Sequence, residues 1–210
     1  MARRGSSSVT ALILFHTAAS NVAVFSRVAM AFPDVRHVVR PDLLAAAEAD
    51  GGLTTNVRRQ AVEAMRAELR GERMICTCST IGPAAEDLAG EGLPVRRADA
   101  MLAERAVADG GRVAVLYAVA TTEASTRELF ERVAAKSGNR TVVELVLVPD
   151  AWERFRNGEA TAYYRAIAAA VDKLDEGFNV IALAQASMAP AAELCRRRML
   201  TSPEASFPSD

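Results

Sequence analysis

The side chain with the most reactive chemistry in this sequence is the thiol of Cys78, set in Cys76-Thr77-Cys78-Ser79-Thr80-Ile81-Gly82-Pro83. The apolar run Arg73–Cys78 reads as a buried strand that ends at the cysteine, and a helix follows from Pro83. A thiol at that junction faces the N–H groups of a helix N-terminus, which favour the thiolate and attract anions. Such a thiolate can serve as a base or nucleophile toward a carboxylate held by the same amides. Ser79 and Thr80 add hydroxyls. Cys76 shares the strand parity of Cys78 but lies within the strand, which marks it as core. Cys195, beside an arginine run, reads as structural. An odd number of cysteines without framework spacing points to reduced thiols in a cytoplasmic protein, and the lone C-x-C has no second cluster to complete a zinc site.

The elements that must position this chemistry alternate between strand and helix. Apolar runs at Val9–Phe15, Arg36–Val39, Arg73–Cys78, Val95–Arg97, Arg112–Val119, Thr141–Val148 and Asn179–Ala184 predict strands. Helical patterns cover Asn21–Ala31, which stops before Pro33, and Thr54–Arg70, with Val57, Ala61, Met65 and Leu69 four apart. Others follow from Pro83, then over Ala98–Ala108, Glu123–Lys136 with Thr122 as N-cap, Ala151–Arg156, Glu159–Glu176 and Pro190–Arg198. The tail Thr201–Asp210 is expected to wrap the surface. Alternation of this kind predicts an α/β fold with parallel sheets flanked by helices, whose ligands bind beyond the carboxyl ends of the strands.

An internal repeat refines that picture. Thr80-Ile81-Gly82-Pro83-Ala84-Ala85-Glu86 is echoed about half a chain later by Ser187-Met188-Ala189-Pro190-Ala191-Ala192-Glu193. Each copy follows an apolar strand, and each reads as a helix start with proline in the first turn. Two pseudo-symmetric Rossmann-like lobes facing each other across a cleft account for this, with Gln185 opposite Cys78. His16 and Thr17 follow the first strand and Thr121 and Thr122 follow the strand Arg112–Val119. Together with Ser79, Thr80 and Ser187 they are the candidate substrate-binding residues.

Composition narrows the function classes. Half the residues are apolar, 24% are charged and the net charge is -1, so neither nucleic acid nor an anionic membrane is attracted in bulk. Val9–Phe15 is too short to span a bilayer, and Met1–Ser8 does not read as part of a cleaved leader. The only lysines, Lys136 and Lys173, lie in a helix-ending segment and on a solvated face, poor places for a pyridoxal Schiff base. P-loop, G-x-G-x-x-G and G-x-S-x-G patterns are missing.

Cys76-Thr77-Cys78-Ser79-Thr80-Ile81-Gly82 resembles the first catalytic-cysteine motif of the aspartate/glutamate/hydantoin racemase superfamily. Ala182-Leu183-Ala184-Gln185-Ala186-Ser187-Met188-Ala189 is similar to its second, Val119-Ala120-Thr121-Thr122 to its substrate-binding turn, and Leu200-Thr201-Ser202-Pro203 to its closing segment. The resemblance implies a first lobe of residues 1–97 plus 199–210 carrying Cys78, and a second of residues 98–198 carrying Gln185. It implies a homodimer or larger homo-oligomer and cofactor-independent proton transfer at the α-carbon of a small carboxylic acid or hydantoin. In the family, one cysteine removes a proton and another delivers one from the opposite face. Here Gln185 stands where the second cysteine is expected. Glutamine cannot act as a base, although its amide can donate to a developing oxyanion. Cys78 and Gln185 are therefore the candidate catalytic pair. A symmetric racemase would need another acid, such as His16 or water. The alternatives are a single-cysteine lyase of the malonate-decarboxylase type, which the superfamily also contains, and a silent binding protein on the same scaffold.

Overall fold

The computed structural model describes residues 11–32 and 34–207. Met1–Ser8, the start of the first expected strand at Val9, the helix stop at Pro33 and the last three residues of the tail lie outside the described residues.

Two four-stranded parallel sheets form the frame. The first contains β1 (Leu12–His16), β2 (Val35–Val39), β3 (Arg73–Cys76) and β4 (Val95–Arg97) in the order β2-β1-β3-β4. The second contains β5 (Gly111–Tyr117), β6 (Thr141–Leu147), β7 (Val180–Leu183) and β8 (Leu200–Thr201) in the order β6-β5-β7-β8. The order repeats element for element, so the two lobes are pseudo-symmetric in topology, as the sequence repeat implies. The helices are α1 (Ser20–Val28), α2 (Pro41–Ala49), α3 (Thr55–Glu68), α4 (Gly82–Gly90), α5 (Ala98–Ala106), α6 (Glu123–Ser137), α7 (Ala151–Arg156), α8 (Ala160–Asp172) and α9 (Ser202–Ser206).

Strand parity explains why each sheet is covered on both faces. Ile13, Phe15, Met74 and Cys76 pack toward α2, α3 and α4, while Leu12, Leu14 and Ile75 pack toward Phe25 of α1 and Phe207. In the second lobe Leu116, Ile181 and Leu183 meet Tyr163 and Ile167 of α8, and Val113, Val115 and Ala182 meet Leu102 of α5 and Phe130 of α6. Side chains alternate across a strand, so near-continuous apolar runs can be buried on two sides.

Several expected elements shift. β3 ends at Cys76, and Cys78 sits in the loop that carries the chain from β3 to α4. Thr77 still donates its N–H to the Phe15 carbonyl at 2.9 Å, after which the chain leaves the sheet. Helix α2 has no counterpart in the sequence reading, although Pro41 occupies its first turn. The second repeat copy does not form an α-helix from Pro190. Ala186–Leu194 is a 3-10 helix with Pro190 inside it, and Cys195 closes that segment in extended geometry. Thr122 occupies the N-cap position of α6 without a capping bond, because its hydroxyl donates to the Val119 carbonyl at 2.7 Å.

The closing segment does not wrap the surface. Leu200–Thr201 pairs with β7, and Thr201 caps α9 by accepting from the Glu204 N–H. Ser202, Pro203, Ala205 and Ser206 are buried. Phe207 joins the core against β1, so this segment divides between the two halves.

Candidate active site

The carboxyl ends of β1, β3, β5 and β7 converge on one cleft, as expected where parallel strands end. Its wall takes Thr17, Ala18 and Asn21 from the β1–α1 junction, and Thr77, Cys78, Ser79 and Thr80 from the loop after β3. The second lobe supplies Val119 and Thr122 after β5, and Gln185, Ala186 and Ser187 after β7. Leu44 of α2 and Trp152 and Phe155 of α7 complete the lining. The enclosed space is about 50 Å³, enough for a few waters or a compact ligand.

Cys78 is 9% exposed and lies in this cleft. Cys76 is fully enclosed in the first-lobe core, where its thiol points to the Cys78 carbonyl at 3.7 Å and burial pushes its ionisation far above the ordinary thiol range. The two cysteines of one motif therefore have different fates, which strand parity alone did not distinguish.

Gln185 faces the cleft from the other lobe with its orientation tied down. Its Oε1 accepts from the Ala118 N–H at 2.8 Å and its Nε2 donates to Thr122 Oγ1 at 3.0 Å. One amide hydrogen remains for a ligand. Ser79 Oγ donates across the lobes to the Ala184 carbonyl at 3.4 Å, and Ser187 Oγ shares a 2.9 Å hydrogen bond with Tyr163. Of the sequence candidates, Cys78, Gln185, Thr17, Ser79, Thr80, Thr122 and Ser187 meet in the cleft.

His16 and Thr121 do not. Thr121 lies on the exposed side of the turn after β5. His16 is fully buried beneath the cleft, its Nδ1 hydrogen-bonded to Thr77 Oγ1 at 2.7 Å and its Nε2 to His37 Nδ1 at 2.9 Å. Burial, reinforced by neighbouring His37, pushes its pKa down to about 3. A neutral imidazole with both nitrogens engaged positions the loop through Thr77; it does not reach for substrate. This removes His16 from the substrate-binding set and from the role of second acid.

Sequence reasoning missed Asn21, Thr77, Leu44, Trp152 and Phe155. Asn21 opens α1, one turn past Thr17, and its Oδ1 is buried without a protein partner. An orphaned acceptor of this kind costs about 1–3 kcal/mol. Trp152 and Phe155 stack with ring centroids 5.2 Å apart, and Trp152 Nε1 donates to Glu48 of α2 at 3.2 Å, linking the lobes at the cleft mouth. Asp150, in the left-handed region at φ 58, turns the chain from β6 into α7 and so brings both rings over the cleft. The available signal was the placement of Trp152, the sole tryptophan, just past the carboxyl end of β6.

One partly buried ion-pair network braces the site from behind. Arg97 is 4% exposed and binds Asp99 in a two-pronged ion pair at 2.9 and 2.7 Å. It also reaches Glu86 of α4 at 3.1 Å, and Glu86 in turn pairs with Arg132 of α6. Gly82 is needed where this network passes beneath the cysteine loop, because a Cβ there would lie 2.5 Å from the Arg97 Cζ. Among the described residues, no group of three or more His, Cys, Asp or Glu side chains is arranged to hold a metal ion, and no helix is long and apolar enough to cross a membrane.

No protein-family model matches the sequence, and no curated protein matches it either. Solved structures do. Glutamate racemase isoform RacE1 from Bacillus anthracis superposes with a TM-score of 0.68 at 15% identity, covering 94% of this chain and 79% of that one. Picrophilus torridus aspartate racemase gives a TM-score of 0.64 at 12% identity, covering 92% and 89%. Allantoin racemase from Pseudomonas fluorescens gives 0.56 at 15% identity, covering 93% and 87%. At such identities the likeness is one of fold.

Proposed function

We propose that this chain, which has the two-lobed fold of the aspartate/glutamate/hydantoin racemase superfamily, is a cofactor-independent enzyme that moves a proton at the α-carbon of a small carboxylic acid or hydantoin. Cys78 is the acid–base group. The observation that carries this reading is its placement in the interlobe cleft, ringed by hydroxyls and amides from four strand ends. A thiolate removes the α-proton, and negative charge builds on the carboxylate or imide oxygen as the enolate forms. Preorganised donors that meet this charge supply the main stabilisation such a step needs. Thr80, the free amide hydrogen of Gln185 and nearby backbone N–H groups are the donors proposed here. Reprotonation by the same thiol returns the proton to one face.

Gln185 favours a second reading. A non-ionisable amide lies across from the thiol, so the cleft offers one acid–base side chain. A one-sided enzyme, such as a lyase that protonates a single face of an enolate after carbon dioxide leaves, fits that asymmetry. Incubation in deuterated water separates the readings. Deuterium uptake with loss of optical activity supports racemisation, with water serving the second face. Gas release with one product enantiomer supports the lyase. Cys78→Ser should lower either activity at least a thousandfold, in line with loss of an acid–base nucleophile. Turnover that survives C78S removes Cys78 from the chemistry.

A further inference from the structure

A second, larger pocket lies outside the cleft, where α1, α5, α9 and the loop from the 3-10 segment Ala186–Leu194 into β8 come together. Its volume is about 770 Å³, within the range of small-ligand sites. Five arginines line it: Arg27 on α1, Arg105 on α5, and Arg196, Arg197 and Arg198 in the loop. Glu204 is the one carboxylate among the described residues of its wall.

The charge on these arginines is not answered from within the described chain. Elsewhere guanidiniums are matched to carboxylates, as Arg36 is with Glu68, Arg58 with Asp87, Arg66 with Glu91 and Arg112 with Asp175. Around this pocket the pattern breaks. Arg105 donates to the Glu204 carbonyl at 3.3 Å. Half-buried Arg197 donates to the carbonyls of Leu174, Asp175 and Phe178 at 3.3, 3.2 and 3.3 Å. Such contacts fix the side chains without neutralising them. Arg196 and Arg198 are exposed and make no ion pair with the described residues. Arg27 has a solvent-exposed pair with Glu193 at 3.5 Å, a kind of contact that contributes little. The Glu204 carboxylate is turned to Thr201, whose hydroxyl donates to it at 3.1 Å.

Like charges gathered on one wall repel one another, and a multivalent anion between them removes that cost. Guanidinium forks from three separate segments require acceptor oxygens that face several directions. A carboxylate presents its oxygens in one plane, whereas phosphate oxygens surround a tetrahedron and take arginine in two-pronged fashion. Linked phosphates spread charge and acceptors across the span.

We infer that this arginine pocket is a binding site for an oligophosphate anion, free or carried on a small organic group. It is separate from the cleft and does not depend on the reaction proposed there. Calorimetry on the intact protein at low salt, with inorganic diphosphate, adenosine diphosphate, sulfate and a hexaglutamate peptide, tests it. One diphosphate should bind per chain, about tenfold more tightly than sulfate or hexaglutamate, and its affinity should fall as sodium chloride is raised. Adenosine diphosphate binding more tightly than diphosphate assigns the site to a carried phosphate; otherwise the free anion is the ligand.

The double variant Arg196→Ser, Arg198→Ser should weaken diphosphate about tenfold, as loss of two charge-assisted contacts requires. The control Arg140→Ser, Arg165→Ser removes the same charge from exposed side chains outside the pocket and should change the affinity less than twofold. All four side chains are exposed, so both variants keep the core intact, which their melting temperatures without ligand check. Equal weakening in the two double variants, wild-type affinity in the R196S, R198S protein, hexaglutamate bound as tightly as diphosphate, or no binding of diphosphate each overturns the inference.

Discussion

At the scale of single residues, environment decides which of several similar side chains can act. Cys76 and Cys78 differ by two positions, yet one is sealed in the core and the other opens to the cleft. Cys76→Ser should therefore cost about 1–2 kcal/mol in urea unfolding, because a hydroxyl replaces a thiol where no water reaches. Alkylation by iodoacetamide should still occur at Cys78 in that variant, as mapped by mass spectrometry. His16 has an acid-sensitive role in the fold. Its folded pKa, about 3, lies below the ordinary histidine value, so the unfolded chain binds the extra proton between about pH 6.5 and that value. The stability from keeping His16 neutral is fully present above about pH 6.5 and is lost as pH falls through the window. The melting-temperature advantage of the wild type over His16→Gln should shrink steadily from pH 7 to pH 4, and an advantage that grows on acidification would contradict this account.

At the scale of elements, the loop between β3 and α4 matters most, because it carries Thr77, Cys78, Ser79 and Thr80 into the cleft. Its far end is anchored by the close approach of Gly82 to the buried Arg97 guanidinium. Arg97 is pinned by two hydrogen bonds to Asp99, so it cannot swing away from an added methyl group. Gly82→Ala should destabilise the protein by about 1–3 kcal/mol, by overpacking against a fixed side chain, and shift the cysteine loop. Chemical denaturation and the alkylation rate of Cys78 check the two parts. The sequence made the repeat legible, but it suggested two like helices after the two motifs. Only the first is α-helical. The second is drawn into a 3-10 path with Pro190 inside it, where Tyr163 binds Ser187 and the core packs Met188 and Ala191. Tertiary contacts overrode the local proline signal.

At the scale of the whole molecule, the lobes are joined by more than the chain crossing between them. Ser79 reaches Ala184, Glu86 joins Arg97 to Arg132, and Trp152 reaches Glu48. Phe207 packs with Leu12, Leu14, Phe25 and Ala186, and meets Phe32 edge-on at 5.0 Å between centroids. It thus pins a segment whose strand belongs to the second sheet onto the core of the first. Phe207→Ala should cost about 3 kcal/mol, measured as a lower urea midpoint. One cooperative transition seen by both fluorescence and circular dichroism would show that the lobes unfold together. The tail sequence, rich in Ser and Pro, carries no apolar period and so concealed this role; its burial depends on surfaces that exist only after both sheets have formed.

The sequence by itself determined the alternation of strand and helix, the duplication, the candidate cysteine after the third strand and the lack of a thiol at Gln185. These follow from local period and residue type, which need no partner to be read. The tertiary structure alone decided that Cys78 opens to the cleft while Cys76 does not, that His16 sits neutral beneath the site, and that Asn21, Trp152 and Phe155 enter it. Those outcomes depend on which side chains meet after elements far apart in sequence pack together, and desolvation and hydrogen-bond pairing are set only by that meeting.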